Sequence, residues 1–253
     1  MLNRNHIAAA CSWSLSPFDS QNKAKVWKSI KHSRYPFKML RYWFMYHMIR
    51  EEFTHFGRSL DCVEIGIDKG QMLHFLRDAG FGGIRSWVGV DIEITPEAEK
   101  AGYTHLIQAD VESSECFLDG KHDVIILLHV LEHLYDPERV LEKLVSHLKP
   151  GGIIIGGFPV LPHFLVAYWQ KRLRIIMGSN GHVSAFSPQR IRKMAKNCRL
   201  NTEFLSGAFF TRNSGSIIEE NRLWMRLNLL YGALFFKSLG SEIYWLMRRP
   251  KEQ

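Results

Sequence analysis

The residues best suited to chemistry in this chain of 253 residues begin with Glu64, Gly66 and Gly70, in the stretch DCVEIGIDKGQML. It reads as a buried strand running into a glycine-marked turn and a helix. Glycines let backbone approach a ligand closely, and the free N–H groups at a helix start favour an anionic group. Asp91 ends the next apolar run, where an acid can accept from both hydroxyls of a ribose. Asp110, in QADV, can accept from the exocyclic amine of an adenine while Val111 offers an apolar face. A dinucleotide fold needs G-x-G-x-x-G around its diphosphate, and GIDKGQ does not supply it. Asp68 stands where a middle glycine is expected and would put a carboxylate against that diphosphate. Histidine is the side chain whose ordinary pKa suits proton removal at neutral pH, and His129, His133, His163 and His182 are the candidates. No metal site is expected, because Cys11, Cys62, Cys116 and Cys198 are scattered without a C-x-x-C pair, which equally argues against a disulfide framework.

The elements that must position these residues follow an alternating pattern. SLDCVEIG, SWVGVDIE, THLIQADV, DVIILLHV and GIIIGGF read as successive strands, with helices at residues 71–79 and at DPERVLEKLVSHLKPGG between them. That alternation predicts a mostly parallel sheet covered on both faces. Further along, HFLVAYWQKRLRIIM is helical in character, and Ser187 with Pro188 opens a helix over SPQRIRKMAKNCRL. NTEFLSGAFF and SEIYWLMRR read as last strands, with residues 219–239 as a packing helix between them.

Four features in order, the acid-and-glycine turn, Asp91, QADV with HVLEHLYDP, and LKPGG, resemble the class I S-adenosylmethionine-dependent methyltransferases, in particular the small-molecule and lipid-precursor group with an LEH turn followed by DP. The resemblance covers residues 60 to about 160 well. It implies an α/β, Rossmann-like fold with a mostly parallel seven-stranded sheet and helices on both faces, and S-adenosylmethionine as the methyl donor, leaving as S-adenosylhomocysteine. Glu64, Gly66, Gly70 and nearby backbone would hold the methionine part, Asp91 and Ile92 the ribose, and Asp110 and Val111 the adenine. Leu128 or His129 would line the sulfonium end. His133 belongs to the LEH turn, and His182, in GHVSAFS, resembles the acceptor-side H-x-x-x-F-S/T segment, so His129, His133 and His182 are the candidate catalytic residues. No Asn-Pro-Pro-Tyr or Asp-Pro-Pro-Tyr follows the fourth strand, which favours an oxygen acceptor over an exocyclic nitrogen.

The net charge of +8 is concentrated. Between Asp19 and Glu51 there is no acid, while Lys23, Lys25, Lys28, Lys31, Arg34, Lys38, Arg41 and Arg50 supply the whole excess. Trp27, Tyr35, Phe37, Tyr42, Trp43, Phe44 and Tyr46 lie in the same stretch. Residues 1–56 therefore read as a basic, aromatic helical extension, and 57–253 as the catalytic domain with a helical insertion at about 160–182. FKMLRYWFMYHMIR could lie on an anionic membrane surface, pack on the domain, or stack on single-stranded bases. The expected function is O-methylation of a small-molecule, glycan or lipid-linked acceptor, with an RNA methyltransferase or a non-catalytic binding protein as alternatives and nucleic acid less favoured as a partner. No run is long enough for a membrane span and no secretion signal is expected, so the reading is cytoplasmic with peripheral membrane association.

Overall fold

Seven apolar runs form one sheet in the computed structural model, which describes residues 6–22, 33–113, 118–176, 181–208, 217–235 and 242–251. The strands are β1 (Leu60–Ile65), β2 (Ile84–Asp91), β3 (His105–Gln108), β4 (His122–Leu128), β5 (Leu148–Pro159), β6 (Asn201–Gly207) and β7 (Glu242–Arg248). Their order is β3-β2-β1-β4-β5-β7-β6, and β7 alone runs antiparallel to its neighbours. Val124 to Leu127 in β4 and Ile153 to Ile155 in β5 are wholly buried, as strands covered on both faces must be. LKPGG opens β5 rather than only closing the preceding helix: Leu148 pairs with His122, the register shifts, and Gly151 takes a left-handed φ of 79° before regular pairing begins.

Eight helices accompany the sheet among the described residues: α1 (His6–Ser12), α2 (Phe37–Phe56), α3 (Gln71–Asp78), α4 (Pro96–Ala101), α5 (Pro137–Ser146), α6 (His163–Ile176), α7 (Pro188–Asn197) and α8 (Arg222–Phe235). The starts of α4, α5 and α7 share one chemistry. Thr95, Asp136 and Ser187 each accept a backbone N–H three residues on, with proline at the first helical position. One core cluster contains α2 and α3 side chains and the other contains those of α5 and α7, which fills both faces of the sheet.

Of the three readings open for FKMLRYWFMYHMIR, packing on the domain is the one the structure shows, and an interfacial helix there is corrected. Met39, Leu40, Trp43, Met45, Met48 and Ile49 are fully buried, and Phe37, Tyr42, Phe44 and Tyr46 nearly so. One side of α2 packs on the sheet, where Phe44 stacks on Tyr244 at 4.3 Å. The other is covered by the N-terminal segment: Trp13 stacks on His47 at 4.9 Å, and the Trp43 indole donates to the Ser14 carbonyl at 2.6 Å. Helix α2 keeps no apolar stripe for a membrane or for bases. The remaining cations of the basic stretch, Lys23 to Lys31, and Trp27 lie outside the described residues.

Ion pairing also ties α2 to the sheet. Arg248 in β7 donates to both oxygens of fully buried Glu52, at 2.9 and 2.7 Å, and to Glu203 of β6 at 2.8 and 3.0 Å. Breaking one side of such a pair leaves a buried charge unmatched. The boundary expected after residue 56 falls on Gly57, which ends α2 with a left-handed φ of 63°, yet one hydrophobic cluster spans both sides of it. No helix among the described residues is long and apolar enough to cross a membrane. Replacing Trp43 by Ala removes a fully buried indole, and urea unfolding should show a loss of about 3–5 kcal/mol. A surface helix at that place would give less than about 0.5 kcal/mol.

Candidate active site

In an open parallel sheet the crevice opens where neighbouring strands send their crossovers to opposite sides, here between β1 and β4. Two cavities lie at the carboxyl ends of these strands. The larger, about 350 Å³, is lined by Gly66, Asp91, Ile92, Asp110, Val111 and His133 among others. The smaller, about 200 Å³, is lined by Arg41, Tyr42, Glu64, Asp68, Gln71 and Leu128 among others. Gly66 and His129 line both. Every cofactor-side residue expected from sequence lines one of them except Gly70, which caps α3 from beneath with a φ of 69°. A Cβ at Gly70 would come within 2.5 Å of Ala101, and one at Gly66 (φ 74°) within 2.5 Å of Val130, so both turns require glycine.

Asp68 occupies the left-handed region as well, at φ 45°, which aspartate tolerates better than bulky residues. Its N–H donates to the Asp91 carboxylate at 2.9 Å, and its carbonyl accepts from Thr95 Oγ1 at 2.9 Å. The acid in place of the middle glycine thus keeps the loop's backbone shape and ties it to the acid ending β2. Burial, with the Asp91 carboxylate adding to it, raises the Asp68 pKa. Asp110 accepts from the Glu112 N–H at 2.9 Å, and that bond holds its carboxyl below the usual range and therefore ionised.

Glu64, at the end of β1, is 4% exposed and accepts from the Trp87 indole at 3.0 Å and the Tyr103 hydroxyl at 2.9 Å. Burial raises its pKa to about 8, against the pull of those two donors. A carboxyl poised there responds to a cation entering the smaller cavity by giving up its proton.

The turn after β4 gathers the histidines. His129 has a left-handed φ of 58°, and its ring lies between two buried carboxylates, Nδ1 at 3.0 Å from Glu132 and Nε2 at 3.7 Å from Glu242. Burial alone would lower its pKa, but the two carboxylates outweigh it and hold it above the ordinary imidazole value. Arg41 of α2 approaches Glu242 at 3.9 Å. His133 is exposed at the edge of the larger cavity, and its ring meets that of His182 edge-on at 4.8 Å. The segments carrying them are stitched together: the Glu132 carbonyl accepts from the N–H groups of Val183 and Ser184 at 2.8 and 3.0 Å. His163 is not brought here. It lines a separate cavity of about 550 Å³ with residues of α7 and faces Ser187 Oγ at 3.0 Å.

Sequence reading missed Arg41, Tyr42, Gln71 and Glu242. Arg41 was one cation in a basic stretch and Glu242 one acid at a strand start, and only the packing of α2 against β7 brings them to the turn after β4.

Comparison with known proteins agrees with this geometry. The family described as a methyltransferase domain matches residues 39–202. A curated protein of Mycolicibacterium smegmatis, described as a "Probable S-adenosylmethionine-dependent methyltransferase", is 26% identical over 121 residues, 47% of this chain and 46% of that protein. The match therefore spans about half the length of that relative. An S-adenosylmethionine-dependent methyltransferase from Mesorhizobium loti superposes with a TM-score of 0.54 at 15% identity, covering 76% of this chain and 92% of its own. A chain from the Haloferax volcanii complex of the Trm112 methyltransferase activator with a methyltransferase gives 0.55 at 18% identity, covering 78% and 84%. At these identities the structures speak to the fold alone.

The Glu64 carboxyl, shifted from 4.5 to about 8, keeps its proton in the folded chain over a pH range in which the unfolded chain has lost it. Its contribution to stability is full at acid pH and is lost as pH rises to about 8. Glu64→Gln cannot ionise, so its melting temperature should gain on that of the parent protein across this range and then level off. A difference that stays flat with pH would contradict the burial described for Glu64.

Proposed function

The chain belongs to the class I methyltransferases, and from that premise we propose that it moves a methyl group from S-adenosylmethionine to a hydroxyl of a small-molecule, glycan or lipid-linked acceptor. The observation that carries the reading is the pair of cavities meeting at Gly66 and His129 under the carboxyl ends of β1 and β4. The donor set fits the cofactor: acids at Glu64, Asp68, Asp91 and Asp110 suit a sulfonium, an ammonium, ribose hydroxyls and an adenine amine, and they would repel a diphosphate. In this reading Asp91 and Ile92 hold the ribose, Asp110 and Val111 the adenine, and Glu64, Gly66 and the Asp68 backbone the methionine part. Gly70 shapes the turn, Leu128 and His129 wall the sulfonium end, and Arg41 offers the cofactor carboxylate a half-buried guanidinium.

Once bound, the donor supplies an electrophilic methyl group on a good leaving group. What remains for the protein is alignment, exclusion of water and removal of the acceptor's proton. His129, whose protonated form the two carboxylates favour, serves as a wall of the site rather than as the base. His133 is better placed for the proton: its Nδ1 faces the Gly181 carbonyl at 3.2 Å and must donate there, which leaves the Nε2 lone pair free to accept. His182 beside it would share that role. Hydroxyl oxygen then forms its bond to the methyl carbon as the sulfur–carbon bond breaks.

Helix α6 supports an amphiphilic acceptor. Gln170 donates to the Val183 carbonyl at 2.7 Å and accepts from the Ala185 N–H at 2.9 Å, so α6 is anchored to the segment that carries His182. It leaves Phe164, Tyr168 and Ile175 exposed beside Lys171 and Arg172. This is the place for a peripheral membrane contact, rather than α2.

Calorimetry with S-adenosylhomocysteine should show one site per chain, weakened roughly tenfold to a hundredfold by Asp91→Ala through loss of charge-assisted hydrogen bonds. No binding to the intact protein would remove the methyl-transfer reading. Sedimentation with anionic liposomes at low salt should retain the chain, and Phe164→Ser with Tyr168→Ser should release it. Indifference of the parent protein to such liposomes would leave a soluble acceptor.

A further inference from the structure

The turn after β4 and the segment 181–186 bring together three side chains that lie far apart in sequence. One ligand-capable atom from each of Glu132, His133 and His182 falls within 4.8 Å of the other two. Glu132 is 2% exposed, and neither of its carboxylate oxygens accepts a hydrogen bond, Oε1 having only the ion contact of 3.0 Å to His129 Nδ1. A buried carboxylate oxygen without a donor is costly, and Oε2, which accepts no hydrogen bond, is the oxygen a further cation would satisfy. The neighbouring imidazole is already oriented as a ligand. His133 gives its Nδ1 proton to the Gly181 carbonyl, the outer contact by which metal-binding histidines are usually fixed, and so presents a bare Nε2.

We infer that Glu132, His133 and His182 form a site for one divalent transition-metal ion at the acceptor-side edge of the larger cavity. Two imidazoles and a carboxylate suit zinc, cobalt or ferrous iron, whereas magnesium and calcium favour oxygen ligands throughout. The backbone holds the ligands in place before any ion arrives. Glu132 is bonded through its carbonyl to Val183 and Ser184, and Ser184 Oγ donates to the Leu134 carbonyl at 2.7 Å. The expectation of no metal rests on the cysteine spacing alone. The histidines fall outside it because His133 and His182 become neighbours only through this stitching.

Three protein ligands leave coordination positions open, and His133 lines the cavity, so an open position faces the space assigned to the acceptor. An acceptor hydroxyl bound there would release its proton to solvent at neutral pH, and its oxygen would then take the methyl group as the sulfur–carbon bond breaks. With the ion bound, the His133 Nε2 lone pair is taken up as a ligand, so the metal replaces His133 and His182 as the means of removing the acceptor's proton. That role rests on the methyl-transfer reading; the binding of the ion does not.

The test uses the full chain stripped with EDTA. Titration calorimetry with zinc chloride should give one ion per chain, and added Co²⁺ should develop the visible bands of a four- or five-coordinate nitrogen and oxygen site. Both His133→Ala and His182→Ala should weaken zinc binding at least tenfold, while His182→Ala still binds S-adenosylhomocysteine, which reports an intact fold. Absence of stoichiometric zinc binding to the parent protein, or variants that bind zinc as tightly as the parent does, overturns the site. Zinc binding lost in variants whose circular dichroism matches that of the parent supports it even if S-adenosylhomocysteine does not bind, an outcome that would count only against the methyl-transfer reading.

Discussion

The site depends on a buried cluster of opposite charges in which the His129 ring lies between the carboxylates of Glu132 and Glu242, with Arg41 approaching Glu242. Charges this deep are tolerated only when each has a partner, so the three parts of the chain that carry them must converge. Those parts are the N-terminal helix α2, the turn after β4 and the start of the last strand β7. Their meeting point forms the shared wall of both cavities. The antiparallel insertion of β7 between β5 and β6 brings Glu242 opposite Pro159, at the sheet end where the crevice opens.

The electrostatics of the crevice are consistent along its length. Acidic side chains end β1 and β2 and follow β3, and the glycine-marked loop adds a fourth at Asp68. Bonds to backbone N–H groups keep Asp91 and Asp110 oriented, while Glu64 is so buried that it holds its proton until a cation arrives. Such a lining discriminates by charge before any shape is read. A different balance holds at the opposite end of the sheet, where Arg58 and Lys149 pair with Asp123, and Lys149 and Arg85 with Asp61. Those pairs close the base of β1 and β4 and leave the carboxyl ends free to bind.

Much of this was readable in one dimension. The strand runs, the Thr95, Asp136 and Ser187 helix starts and the glycine turn are local features: alternation, capping oxygens and left-handed backbone are set by residues within a few positions of each other. The fate of the basic aromatic stretch was not readable. A helix with Trp, Tyr and Phe on all sides has the same composition whether it enters a membrane or a core. Burial of α2 follows from Trp13 and Phe18, which come from a segment with no helical pattern in common with it, closing over its outer face.

The sequence by itself determined the order of the strands and helices, the glycine loop and the four acids at the strand ends, and hence the class of donor, because these rest on short-range geometry and on charges already in place. Only the tertiary structure decided which cations and histidines join them. Arg41 and His133 come from residues 41 and 133, and Glu242 and His182 from 242 and 182. Contacts of that separation are paid for in loop entropy and rewarded only by packing and charge pairing in the finished fold, which leaves no periodicity in the chain to announce them.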